Sequence, residues 1–237
     1  MLEKMLREGA SLYGVELTDT QVKQFMTYKE LLQEWNQKIN LTAIIDDEGI
    51  IKKHFIDSIA ILKSGVIGEG ATVIDVGTGA GFPGIPLKII RPDIELTLLD
   101  SLNKRIKFLE TVCKEADIKD VNCIHMRAED GGRDKLLRDT FDIATARAVA
   151  NMRVLSEYCM PYVKVSGHFV ALKGPSGYEE VADARNAIGL LGGKPHDIIE
   201  TVIPGEDIKH NLVVVNKVKP TDNRFPRQAK QIKDSPL

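Results

Sequence analysis

Val73-Ile74-Asp75-Val76-Gly77-Thr78-Gly79-Ala80-Gly81-Phe82-Pro83-Gly84 is the stretch on which the reading of the whole chain turns. A short apolar, β-branched run enters a turn with glycine at every second position, and a helix-compatible stretch at 85–90 follows. Glycine is needed where the main chain must bend sharply and let a ligand approach, and a helix start beyond it offers free N–H groups. Asp100 closes the next β-rich run, where a carboxylate can accept both hydroxyls of an adenosine ribose. This order of strand, glycine turn, helix and acidic strand end predicts a nucleoside-binding crevice.

Outward from that segment, β-rich runs at 72–76, 95–99, 121–125, 141–145, 168–172, 196–203 and 212–218 alternate with helical stretches at 85–90, 103–116, 135–138, 151–162 and 178–191. The alternation predicts an α/β fold whose seven-stranded sheet is mostly parallel, with helices on both faces. Only 204–211 separates the last two runs, too little for a helical crossover, so they are expected to close the sheet as an antiparallel hairpin. Before the sheet lie helices. Thr18 and Gln21 have capping-box spacing, and Val22, Phe25, Tyr28, Leu32, Trp35 and Ile39 then form one apolar face. A second helical run covers 47–63, and Gly65, Gly68 and Gly70 mark a boundary. The expected organisation is a helical cap at 1–70, an α/β core at 71–219 and an extended basic tail at 220–237.

The chain has 237 residues, 43% hydrophobic and 28% charged, which excludes a disordered or collagen-like protein. No apolar run is long enough to span a bilayer, and the first residues are charged, unlike a secretory signal. Cys113, Cys123 and Cys159 show no CxxC pairing, so reduced thiols, a cytoplasmic setting and no metal site are expected. The net charge of −2 divides unevenly: from Lys209 onward the balance is +5, leaving −7 on the rest. A basic tail on an acidic body suits local phosphate contact.

Two nucleoside cofactors use such a crevice. A dinucleotide would rely on Gly79, Gly81 and Gly84 with a pyrophosphate on the helix end, but Pro83 and Pro86 remove two donors from that first turn. Asp75 adds negative charge, which repels phosphate and tolerates the ammonium and sulfonium of S-adenosyl-L-methionine. The residues thus favour a methyl donor. They leave open a methyltransferase with a small-molecule or protein acceptor, an NAD-dependent oxidoreductase, and a non-catalytic RNA-binding module.

Five segments carry a resemblance: Trp35-Asn36-Gln37-Lys38-Ile39-Asn40-Leu41-Thr42, His54-Phe55-Ile56-Asp57-Ser58, the run from Asp75 to Pro86, Arg127-Ala128-Glu129, and Arg147-Ala148-Val149-Ala150. With them the chain resembles the RsmG (GidB) family, bacterial 16S ribosomal RNA guanine-N7 methyltransferases. At the tail, Phe225-Pro226-Arg227 and Lys233 to Leu237 are similar too, although Gln228-Ala229-Lys230-Gln231 replaces the family's Gly/Pro spacer. The resemblance implies a class I S-adenosylmethionine-dependent, Rossmann-like fold. It also implies cofactor contacts at Gly77, Gly79 and Phe82, at Asp100, Ser101 and Leu102, at Ala128 and Glu129 near the adenine, and at Arg147. From the residues alone, Phe82 equally fits the core, Glu129 a surface pair with Arg127 or Arg133, and Arg147 an ion pair with Asp142 or Glu129. His54 and Asp57, three apart, suggest a local hydrogen bond.

The implied chemistry is undemanding. Guanine N7 carries a lone pair and no proton, so it can attack a methyl in line with no general base, no catalytic side chain and no metal. N7 faces the deep major groove of A-form RNA, so the target guanine must lie in a loop or leave its stack. Lys104, Arg105, Lys164, Lys173, Arg224 and Arg227 are the expected phosphate contacts. The implied partner is 16S ribosomal RNA within a small-subunit particle, met by a monomer.

Overall fold

The Thr18 hydroxyl accepts from Gln21 N at 3.2 Å while the Gln21 side chain accepts from Thr18 N at 2.9 Å, so two orphan donors are satisfied at one helix start. The structure, a computed structural model, describes residues 1–147, 150–205 and 209–237. Helix α1 (Leu2–Ser11) precedes the helix so capped, α2 (Asp19–Asn36), whose Val22, Phe25, Tyr28 and Leu32 are buried. The expected helical run at 47–63 is composite. It starts as α3 (Asp47–Gly49), widens to a π-helix over Ile50–Ile56, returns to α geometry in α4 (Asp57–Ile59) and tightens to a 3-10 turn at Ala60–Ser64. Wide turns of this kind are rare and cluster at functional sites.

From there strands and helices alternate: β1 (Thr72–Val76), α5 (Gly84–Ile90), β2 (Glu95–Asp100), α6 (Asn103–Glu115), β3 (Val121–His125), α7 (Ala128–Gly131), β4 (Phe141–Arg147), α8 (Met152–Cys159), β5 (Val163–Lys173), α9 (Gly177–Leu190), β6 (Gly193–Val202), β7 (Lys209–Lys217) and α10 (Ala229–Asp234). The seven-stranded sheet has the order β3-β2-β1-β4-β5-β7-β6. The first five strands in this order pair in parallel. β7 joins β5 and β6 antiparallel, closing the sheet with the expected hairpin.

One apolar cluster joins the N-terminal helices to the sheet, with Phe25, Tyr28, Phe55 and Phe108 against Val73, Leu96 and Leu98. A second cluster, around Phe169, Val213 and Leu155, fills the other face.

Two expectations are corrected. The stretch at 135–138 is a series of turns rather than a helix: the Asp134 carboxylate accepts from Leu136 N at 2.7 Å, and Asp139 reverses the chain at φ 54°. The tail after 220 is not extended. Phe225 and Ile232 are buried, and α10 packs against α8. The cause is Glu157, fully buried in α8, which needs a cation and receives the Arg227 guanidinium at 2.7 Å.

Candidate active site

Ligands of open parallel sheets lie beyond the carboxyl ends of the strands, where the strand order reverses. In this sheet that point falls between β1 and β4. The glycine turn leaves β1 with Gly77 N and Thr78 N both donating to Leu99 O, at 2.8 and 3.1 Å. Below it, one Asp75 oxygen accepts from the Thr78 hydroxyl at 2.7 Å and from Gly84 N at 2.9 Å, pinning both ends of the turn. Gly81 has φ +100°, and a Cβ there would stand 2.7 Å from Tyr28 Oη and 2.8 Å from Leu109 Cδ2. Gly79, at φ +61°, has no atom closer than 4.0 Å to such a Cβ. Packing therefore requires the glycine at 81, whereas the space beside 79 is open.

Beyond the turn lies a cavity of about 410 Å³ bordered by Gly77, Gly79, Phe82, Asp100, Ser101, Arg105 and Arg147. The Asp100 carboxylate, at the end of β2, accepts from Leu102 N at 2.8 Å, Gly79 N at 3.0 Å and Arg105 Nη1 at 3.3 Å. It holds the glycine turn to the neighbouring strand. Leu41 and Thr42 of the N-terminal region complete the wall. Their loop is fixed by Asn36, whose side-chain oxygen accepts from Leu41 N and Thr42 N at 2.7 and 2.9 Å.

Arg147, at the end of β4, stands between this cavity and a second one. Its guanidinium carbon lies 4.7 Å from the Phe82 ring centre, and His54 stacks on the same ring at 4.5 Å. Nη1 donates to Asp57 at 2.9 Å and to Lys53 O at 3.1 Å, while Nη2 meets His54 Nδ1 at 3.1 Å. His54 Nδ1 thus faces a guanidinium, which can only donate, and at 3.1 Å also the Lys53 carbonyl, which can only accept, while Nε2 lies 2.7 Å from the Thr42 hydroxyl. Burial, then the Arg147 charge, hold the imidazole neutral, with its pKa lowered to about 4. Burial alone would raise the Asp57 carboxyl, but His210 at 2.7 Å and Arg147 together bring it below the usual range. Under the glycine turn, burial raises Asp75 to about 6 against its bonds from Thr78 and Gly84. Its other oxygen is buried with no partner among the described residues.

The second cavity, about 380 Å³, shares His54 and Arg147 with the first. Asp57, Lys173, Glu180 and His210 provide its remaining polar walls with Lys53, and Ile44, Leu172 and Ile203 its apolar ones. Its residues come from the π-helical region, the end of β5, α9 and the start of β7.

Of the expected cofactor residues, Gly77, Gly79, Phe82, Asp100, Ser101 and Arg147 border the first cavity; Leu102, Ala128 and Glu129 are not among its lining residues. Ala148 and Val149 of the Arg147 segment lie outside the described residues. Arg147 pairs with Asp57, not with Asp142 or Glu129. Glu129 lies 3.8 Å from Arg127. His54 and Asp57 share a face as expected, but they meet through Arg147.

The expected phosphate contacts divide. Lys104 is exposed on α6, and Arg224 is 65% exposed. Arg105 is drawn to Asp100 at the first cavity. Lys173, only 9% exposed, is bound by Glu180 and Ala150 O at 2.8 Å each. Lys164 pairs with Asp142 near the start of β5, at the opposite end of that strand from Lys173. Arg227 clamps Glu157, a buried carboxylate that would lose its cation without it. Thr42, Asp57, Glu180 and His210 were not assigned to a site from the sequence. Their partners lie 12, 90, 28 and 153 positions away, and no local pattern announces such contacts.

An α/β sheet with a nucleoside crevice at its reversal point and an antiparallel closing hairpin defines the class I methyltransferase fold. Solved structures agree at the level of fold. A chain of the complex between the Haloferax volcanii Trm112 methyltransferase activator and a methyltransferase has a TM-score of 0.59 at 15% identity, over 79% of this chain and 98% of that one. M. jannaschii TYW2, solved in complex with AdoMet, has a TM-score of 0.54 at 16% identity over 74% and 80%. Within that class, the GidB family model, described as rRNA small subunit methyltransferase G, matches residues 21–208. The ribosomal RNA small subunit methyltransferase G of Clostridium perfringens strain 13 is 56% identical over 98% of both chains. The chain belongs to the GidB family.

Proposed function

We propose that this protein transfers the methyl group of S-adenosyl-L-methionine to N7 of a guanine in 16S ribosomal RNA. The observation that carries the reading is the Asp100-tied glycine turn, opening on a nucleoside-sized cavity in a chain of this family. The residues present suit that cofactor. Asp100 uses three of about four acceptor positions and keeps capacity for a ribose hydroxyl. The Asp75 oxygen that has no partner among the described residues places negative charge beneath the turn, which suits a cationic ligand. Gly77, Gly79, Phe82, Ser101 and Arg147 would border the bound nucleoside; Leu102 and the Ala128–Glu129 pair, beyond the neighbouring strand ends, would flank its base.

When bound, the cofactor supplies an electrophilic methyl on a sulfonium. The protein's part is positional. The glycine turn and Asp100 would fix the nucleoside, and Phe82, His54 and Arg147 line the side of its cavity that adjoins the second one. Neutral His54 adds no positive charge beside Arg147. N7 needs no base, so holding the reactants in line carries the rate, for which effective molarities of ~10⁵ M or more are available. Lys104 and Arg224, exposed and basic, would meet RNA phosphates. The acceptor in this reading is the RNA of a small-subunit particle, met by one copy of the protein in the cytoplasm.

Labelled methyl transfer to ribosomal RNA, followed by N7-specific strand scission, tests the reading. Label confined to a non-RNA acceptor would refute it. Asp100→Ala should raise the cofactor Kd ~10- to 100-fold in calorimetry, the loss of one hydrogen bond to a charged acceptor. An unchanged Kd would remove Asp100 from the site.

A further inference from the structure

We infer that the second cavity receives the acceptor base and selects guanine through the Asp57 carboxylate, which accepts from the N1–H and N2–H groups of its Watson–Crick edge. The inference rests on the methyl-transfer reading and says where the acceptor sits and what recognises it. Three observations lead there.

Among the described residues the two cavities share His54 and Arg147 in their linings, so they adjoin along that edge and a group in one borders a group in the other. The second cavity, at about 380 Å³, is large enough for a purine, and Ile44, Leu172 and Ile203 give it apolar surface for ring faces. Among its carboxylates, Glu180 already accepts from Met152 N, Lys173 and Ser176. Among the described residues Asp57 accepts from Arg147 on one oxygen and from His210 on the other, which leaves each oxygen one lone-pair position.

Two acceptors side by side match guanine's adjacent N1–H and N2–H donors. Adenine would turn its N1 lone pair toward the same carboxylate and be repelled. N7 lies on the other ring of the purine, away from the paired edge, and remains free to face the edge shared with the first cavity, where the methyl would be presented. The positive charge that arrives on the ring with the methyl then lies near a carboxylate, which favours transfer.

The test needs no altered protein at first. With ribosomal RNA carrying inosine in place of the acceptor guanosine, N7, O6 and N1–H remain and only the N2 amine is lost. Wild-type kcat/KM should fall 10- to 100-fold, as for one hydrogen bond to a charged acceptor. In Asp57→Asn the preference for guanosine over inosine should collapse toward unity, which a merely structural role for Asp57 would not produce. Ile203→Trp, which fills the cavity, should leave the S-adenosylmethionine Kd within about twofold and reduce transfer at least 100-fold. Equal wild-type rates on guanosine and inosine RNA, or undiminished transfer by the filled variant, would overturn the assignment while leaving the methyl-transfer reading intact. Failure of the wild type to methylate guanosine RNA at all would end both.

Discussion

The two cavities that meet at Arg147 are built by opposite strategies. The first is a local device: a strand, three glycines and one aspartate at the next strand end, with Asp75, Thr78 and Gly84 pinning a turn whose ends lie nine positions apart. The second is assembled from distant parts, with Asp57, Arg147 and His210 brought into one chain of hydrogen bonds across more than half the sequence. A nucleoside cofactor common to many enzymes can be held by a portable motif, whereas an acceptor pocket must be made anew from whatever the fold places nearby. The shared edge is where both strategies converge, and substitution there should have the largest effect.

Arg147→Ala removes the partner of a carboxylate that is 7% exposed and unstacks His54 from its hydrogen bond. Breaking such a pair costs ~3–5 kcal/mol, nearer the lower figure here because His210 remains. Denaturant titration should show that loss, and both cofactor affinity and transfer should fall. Arg147→Lys should recover part of the stability but not the forked contact to Asp57, Lys53 and His54. If Arg147→Ala left stability and cofactor affinity unchanged, the two cavities would not be joined through this residue.

Within the first cavity, two glycines separate packing from binding. Gly81→Ala forces a Cβ against Tyr28 and Leu109 in left-handed backbone and should cost ~3 kcal/mol, a drop of roughly 10 °C in Tm. Gly79→Ala bears only the backbone penalty, ~1 kcal/mol, because its surroundings are open. Its effect should appear instead as weakened cofactor binding. Equal stability losses at both positions would blur the distinction between a turn shaped by packing and one shaped for a ligand.

How much was legible follows from the same contrast. β1 and β3 occupy the expected residues, and β2 needs one more, because each is a short β-branched run bounded by turn residues. The closing hairpin followed from the length of its connection. Most of the cavity at the glycine turn was legible because those residues lie close in sequence or end adjacent strands, whereas Leu41, Thr42 and His54 come from the N-terminal helical region. The charge of Arg227 is visible in the sequence, but its partner Glu157, 70 positions earlier, is not. The π-helical widening at Ile50–Ile56, which helps place His54 and Asp57, has no residue signature in the 47–63 run that an ordinary helix would lack. Long-range pairing, not local propensity, made those features and hid them.

The smallest effect expected is in the wild-type protein's own response to pH, because the two regions oppose each other. The His54 pKa is lowered from 6.5 to about 4 by burial and Arg147, so the fold favours neutral imidazole. Its contribution is full above pH 6.5 and is lost as pH falls through 4. Asp75 is raised from 3.8 to about 6 by burial, so the fold favours the neutral acid there. Its contribution is full below pH 3.8 and is lost as pH rises through 6. Between pH 4 and 6.5 the two slopes have opposite signs and similar size, and their sum should be nearly flat. Single substitutions expose each arm. As pH falls from 7 to 4, Asp75→Asn should lose ground to the wild type by up to ~3 kcal/mol, because only the wild type gains the favoured proton. His54→Asn should gain on the wild type by a similar amount over the same range, since it escapes the cost of charging an imidazole beside Arg147. Stability curves that stayed parallel to the wild type across this range would show that neither group is buried as tightly as its contacts imply.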